Sequence, residues 1–165
     1  MKIIGSILVI FSCTAIGFDK CCKLQTHLNE LEMLKHVFVL IKKEMQYTMV
    51  PLSEIFLKIS KGLKGEWKSW LEELSEKLRD CGKATFQEMW DDSVKKQFLK
   101  SQLTQEELEN LRQVGKNLSY IETIDLYLEG LEISIERTRE DAKTKKKLYQ
   151  SIAIMGGIFL VIVFW

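Results

Sequence analysis

Lys143 to Trp165 reads KTKKKLYQSIAIMGGIFLVIVFW, and this stretch decides how the rest of the chain can be arranged. Lys143, Lys145, Lys146 and Lys147 fall within five residues, Tyr149 follows, and no residue from Ile152 to Trp165 carries a charge. That order predicts a membrane anchor. The lysines would lie at an anionic cytoplasmic leaflet, Tyr149 at headgroup level and Trp165 at the far interface. The apolar run has fourteen residues, short of the roughly 20 that a full span wants. Counting helix from Leu148, with Lys147 snorkelling to the headgroups, lengthens it. Full crossing is the expectation and deep insertion the alternative.

The opposite end is built alike. Ile3 to Phe18, IIGSILVIFSCTAIGF, is apolar or small, with Lys2 before it and Asp19, Lys20 and Lys23 after. The expected plan is an N-terminal transmembrane segment at 1–18, a cytoplasmic helical domain at 19–142, and a Lys-rich juxtamembrane stretch with a C-terminal transmembrane segment at 143–165. Both ends would then face away from the cytoplasm. Ser12-Cys13 supports a different reading, a secretory leader with Cys13 acylated, giving a lipid-anchored, secreted helical binding protein. Phe11 is bulky for such a leader, and the lysine cluster would then lie outside, against the charge rule.

At 165 residues there is room for one domain. Residues 19–151 hold all 23 acidic residues and every basic residue except Lys2, so 23 positive charges balance 23 negative ones. A neutral domain argues against nucleic acid, which needs a basic face to release counterions. Cys13, Cys21, Cys22 and Cys81 show neither zinc spacing nor a CxxC pair, and reduced thiols are expected.

Between the apolar ends the periodicity is helical throughout, with no convincing strand pattern. Leu24, Leu28, Leu31, Leu34, Phe38, Ile41 and Met45 recur three or four apart, predicting one long helix from about Ile3 to Thr48. Pro51 suits the first turn of a second helix, with Leu52, Ile55, Phe56 and Ile59 on one face. Gly62 and Gly65 bracket a loop. A third helix runs from Glu66 to Asp80, with Trp67, Trp70, Leu71, Leu74 and Leu78 inward and Gly82 ending it. A fourth runs from Thr85 to about Leu99, with Phe86, Met89, Trp90, Val94 and Phe98 on a stripe. The tryptophans read as core, with a docking groove as the alternative. Thr104-Gln105-Glu106-Glu107 is a capping box opening a fifth helix, with Leu108, Leu111 and Val114 inward, that ends at Gly115. Asn117 offers a turn and Ser119 an N-cap. The sixth helix then carries Ile121, Ile124, Leu128, Leu131 and Ile135 on through a charge-rich stalk into the second span. Gly130 interrupts it, and a close helix–helix contact would account for that. The fold class is therefore all-α: an antiparallel bundle of about six helices, with first and last long enough to reach a membrane.

The sequence carries no recognisable chemistry. A GxxxxGK phosphate loop is absent. His27 and His36 read as surface or interface residues. Asp91-Asp92 and Glu106-Glu107 point about 100° apart on a helix and do not converge as an acid–base pair would; they read as solvated faces and caps. No nucleophile motif stands out. An enzyme, a cofactor, a metal and a small-molecule substrate are all unexpected. What remains is interaction, including the small-residue notch Gly156-Gly157 in the second apolar run.

Several segments resemble the stage III sporulation protein AB family of endospore-forming bacteria. They are Gly17-Phe18; the stretch Leu31 to Leu52 with Glu44, Tyr47, Pro51 and Leu52; Leu103-Thr104-Gln105-Glu106; Gly115-Lys116-Asn117-Leu118; and the Lys-rich segment with Tyr149 and Gly156-Gly157. Their order and spacing carry the likeness nearly end to end. Where the family has glycine and then aspartate after the Gly-Lys-x-Leu segment, this chain has Ser119 and Glu122, which leaves the turn there to Asn117 in a left-handed conformation. The resemblance implies a fold like the cytoplasmic helical domain of type II secretion and type IV pilus platform proteins. It implies a non-catalytic platform or adaptor in the mother-cell membrane that engulfs the forespore. It also implies contact with other stage III channel subunits, including a cytoplasmic ATPase. Platform proteins carry two such domains and this chain one, which leaves room for homo-oligomers.

Overall fold

The computed structural model describes the backbone of residues 2–80 and 85–164, and the side chains of 22–80, 85–145, 147, 148, 151 and 155. Among the described residues there are six α-helices, one 3-10 turn and no strand: α1 (Lys2–Tyr47), α2 (Leu52–Ser60), α3 (Gly65–Arg79), α4 (Phe86–Gln97), α5 (Gln105–Val114), the 3-10 turn Gly115–Asn117, and α6 (Ile121–Phe164). The chain divides into two compact units, one of residues Met1–Asn29 with Ile135–Trp165, the other of Glu30–Ser134.

In the first unit, Leu28, Ile135 and Thr138 are buried. Lys143, Lys145 and Lys147 are exposed on α6. Among the described residues no helix is long and apolar enough to cross a membrane. The backbone of the expected spans is helical at 3–18 and 152–164, but their side chains, Met155 apart, lie outside the described ones. The Cys13 and Cys21 side chains lie outside the described ones too, and Cys81 and Gly82, with its expected stop, lie outside the described residues; Cys22 is an exposed free thiol.

In the second unit the stripe on α1 is core as expected: Leu31, Leu34, Phe38 and Ile41 are wholly buried. Each such side chain is worth about 1.5–3 kcal/mol of burial. α6 runs antiparallel beside α1. Lys35 pairs with Glu132 and Lys42 with Asp125, both at 2.5 Å, so seven residues forward on one helix is seven back on the other. α2 and α3 form a hairpin in which the buried Ser75 hydroxyl donates to the Ser53 carbonyl at 2.7 Å. Pro51 stands just before α2, not within its first turn. Its extended backbone (φ −60°, ψ 151°) leaves its carbonyl to accept from the Glu54 and Ile55 amides. Gly65 opens α3 with φ +61°, a conformation that disfavours a side chain.

Two capping boxes start α4 and α5. The Thr104 hydroxyl accepts from the Glu107 amide while Glu107 accepts from the Thr104 amide, as the sequence predicts. Thr85 and Glu88 make the same reciprocal pair at α4. The loop before α5 is tied to α1 by the Gln102 amide, which donates to Glu30 Oε2 at 2.9 Å.

Trp90 is the hub of the core. Its wholly buried ring lies 5.7–6.4 Å from Phe38 of α1, Phe56 of α2, Trp70 of α3 and Phe86 of its own helix. Its Nε1 donates to the Leu111 carbonyl of α5 at 2.9 Å. Trp70 is buried beside it and donates to Ser93 Oγ at 2.7 Å. These two tryptophans are core. Trp67, Leu78, Phe86, Met89 and Leu108, expected inward, are only half-buried, because short helices in a small bundle turn part of each stripe to solvent.

Candidate interaction surface

Two of the segments that carry the family likeness, 31–52 and 115–118, are separated by more than sixty residues, yet Leu52 of the first and Ser119, just after the second, line one groove of the second unit. At the close of α1 the Thr48 amide and hydroxyl both donate to the Glu44 carbonyl, at 2.8 and 2.6 Å. The Glu44 carboxylate accepts from Lys58 of α2 at 2.7 Å. Tyr47 then stands 80% exposed, Met49 is fully exposed, and Val50 and Pro51 are exposed beside them. Leu52 turns inward. It shares a shallow groove with Met45, Thr48, Val50, Ile55 and, from the far segment, Ser119.

Gly115 and Leu118 are buried, and Lys116 is exposed. Gly115 has an ordinary right-handed backbone, φ −58°; what requires a glycine there is space. A Cβ on Gly115 would stand 2.1 Å from Trp90 Cδ1. Asn117 does not take the left-handed conformation expected of it. It closes the 3-10 turn, and the Tyr120 amide donates to its carbonyl at 3.0 Å. Ser119 is not the N-cap either. The Thr123 and Ile124 amides donate to the carbonyl of Tyr120, which precedes the helix and is 64% exposed. The tip therefore carries exposed Tyr47, Met49 and Val50 on one segment and exposed Tyr120, next to Ser119, on the other, with Leu52 half-buried and Leu118 buried. Lys146, Tyr149, Trp165, Gly17, Phe18, Gly156 and Gly157 lie outside the described residues or their described side chains.

A second cleft, between α4 and α5, is polar and lined by Glu88, Asp91, Glu109, Arg112 and Lys116. Asp91 is not simply solvated, as its sequence context suggests. The Arg112 guanidinium grips both its oxygens, and Lys95 pairs with it at 2.7 Å. Hydrogen bonding from Arg112 holds the Asp91 carboxyl well below the usual range, at about 2. Arg112 also reaches Glu109 at 2.7 Å. Nothing near either residue in the sequence marks the pair, since they stand 21 residues apart. Asp92 and Glu106 are exposed, His27 is half-buried and His36 exposed. Among the described residues no group of three or more His, Cys, Asp or Glu could hold a metal ion.

The fold and surface define an all-α bundle whose most distinctive surface is an aromatic and apolar tip. The chain belongs to the stage III sporulation protein AB family, whose model matches residues 2–165. It is similar to the stage III sporulation protein AB of Bacillus subtilis (strain 168), at 25% identity over 169 residues covering 98% of each chain. A solved structure of a stage III sporulation protein AB superposes with a TM-score of 0.64 at 23% identity, covering 72% of this chain and 97% of the other, and supports the fold.

Proposed function

We propose that the chain is a non-catalytic membrane platform, or adaptor, of a secretion-like channel between mother cell and forespore, required for late forespore development. Its helical domain would lie in the mother-cell cytoplasm, held to the engulfing membrane by both chain ends. It would offer the tip around Tyr47, Met49 and Tyr120 to other channel subunits, among them the cytoplasmic ATPase, and to further copies of itself.

One observation carries this reading: residues Met1–Asn29 and Ile135–Trp165 belong to one compact unit. The two apolar runs and the lysine cluster thus belong together, as they would if both runs entered one bilayer from the side that the positive charge prefers.

The test is topology in sporulating cells. Single cysteines placed at Glu66 and Gln105 should be blocked by a membrane-permeant maleimide and spared by an impermeant one in intact protoplasts. Labelling by the impermeant reagent, or an N-terminus processed to an acylated Cys13, would overturn the reading. Affinity purification in mild detergent should also recover channel subunits, and it should lose them when Tyr47 and Met49 are replaced by serine.

A further inference from the structure

Between α5 and α6 lies a groove of about 390 Å³ within the second unit, running from Asn117 and Thr123 at the tip end along α6 to Ser134. Its α6 wall carries Thr123, Leu126, Tyr127, Gly130 and Ser134, residues three or four apart that share one helix face. Its α5 wall carries Glu107, Asn110 and Gln113. The sequence suggests that Gly130 marks a close helix–helix contact, but a Cβ there would meet nothing within 4 Å. The space is open. Leu126 is 72% exposed and Ile133 58%, on either side of that glycine along the helix.

At the groove, Tyr127 is 8% exposed, and its hydroxyl is buried with no hydrogen-bond partner among the described residues. A buried polar group left unpaired loses the hydrogen bonds that water gave it in the unfolded chain. Burial first, and then the neighbouring Glu107 carboxylate, push its ionisation up, so it stands as a neutral phenol able to donate and accept. The outer edge of the seam is acidic. From Ile121 to Glu136, α6 holds Glu122, Asp125, Glu129, Glu132 and Glu136 and no basic residue. Asp125 and Glu132 are turned to lysines of α1, whereas Glu122 and Glu129 are exposed.

We infer that this groove is a docking seat for a basic amphipathic helix of another protein, with its apolar stripe over Leu126, Gly130 and Ile133 and its lysines or arginines against Glu122 and Glu129. Gly130 lets the incoming backbone approach closely. Two copies of this chain meeting groove to groove would oppose Glu122 and Glu129 to their own kind, which disfavours self-association here. An acidic rim likewise repels an anionic lipid surface.

The seat stands on the groove alone and does not depend on membrane topology, so the labelling experiment above and the following one fail independently. The full chain in nanodiscs of neutral lipid is titrated with a fluorescent 14-residue leucine–lysine peptide whose leucines recur three and four apart. Anisotropy should show saturable one-to-one binding, above that to empty nanodiscs. Gly130→Tyr, which fills open space, should raise Kd by about tenfold or more, as should Glu122→Lys with Glu129→Lys. Glu66→Lys with Glu76→Lys on α3 should leave it unchanged. Equal affinity for all variants, absence of saturation, or a dimer in sedimentation that Gly130→Tyr abolishes would each overturn the proposal.

Discussion

At the residue scale, two side-chain positions are decided by partners far away in sequence. Gly115 reads as a helix stop, and it does end α5, but its deeper constraint is the face of the Trp90 indole. Gly115→Ala is expected to destabilise the bundle by about 1–3 kcal/mol, as overpacking does. The penalty should shrink in a Trp90→Leu background. A denaturant double-mutant cycle measures this, and additive losses would show that Trp90 is not the obstacle. Asp91 is the second case. Its folded pKa is depressed, so the stability that it contributes is fully present above about pH 5 and is lost as pH falls through its ordinary value near 4 toward about 2. The Asp91–Arg112 pair is partly exposed, which limits the loss in Asp91→Asn to about 1 kcal/mol near neutrality. Urea melts should show that gap narrowing steadily from about pH 5 to about pH 2.5. A gap that stays constant would refute the assignment.

At the element scale, the helices and their order were legible in the sequence because each is announced locally. Apolar residues three and four apart mark the faces, Pro51 marks the restart, and Thr104 with Glu107 marks the fifth start. Thr85 with Glu88 carries the same signal. Thr85→Ala and Thr104→Ala should each cost about 1 kcal/mol in urea unfolding, with Thr→Ser nearly neutral. Gly65→Ala should cost about 1–2 kcal/mol through its positive φ, with no change in buried contacts. If Gly65→Ala proved stabilising, the turn into α3 would have to differ from the one seen. What local signals could not give is which exposed positions matter. The seam on α6 is open because α5 stops short of covering it, and no pattern within α6 records where α5 lies. The tip was legible only as a likeness between segments; that Leu52 and Ser119 share one groove is a matter of tertiary packing.

At the scale of the whole molecule, the sequence declares a chain with two apolar ends around a neutral middle. On the proposed membrane reading, the lysine cluster would be the determinant of orientation. Replacing Lys143, Lys145, Lys146 and Lys147 by glutamate should weaken or invert insertion of the C-terminal run. Unchanged labelling at Glu66 and Gln105 cysteines would show that something else sets the sidedness. The variant should leave urea unfolding of the 30–134 unit within about 0.5 kcal/mol of the parent, since these positions lie outside that unit.

Two indoles with ring centres 5.7 Å apart, Trp70 and Trp90, make the bundle its own optical gauge. Their strong short-wavelength transitions couple only while helices three and four hold them at that spacing, so the far-ultraviolet dichroism of the purified chain should carry an aromatic couplet on top of its helical signal. Because the same ring also abuts the first and second helices and bonds to the fifth, loosening any one of the five dims the couplet. Intact and slackened forms can thus be told apart, without a label, inside a detergent micelle or a lipid disc.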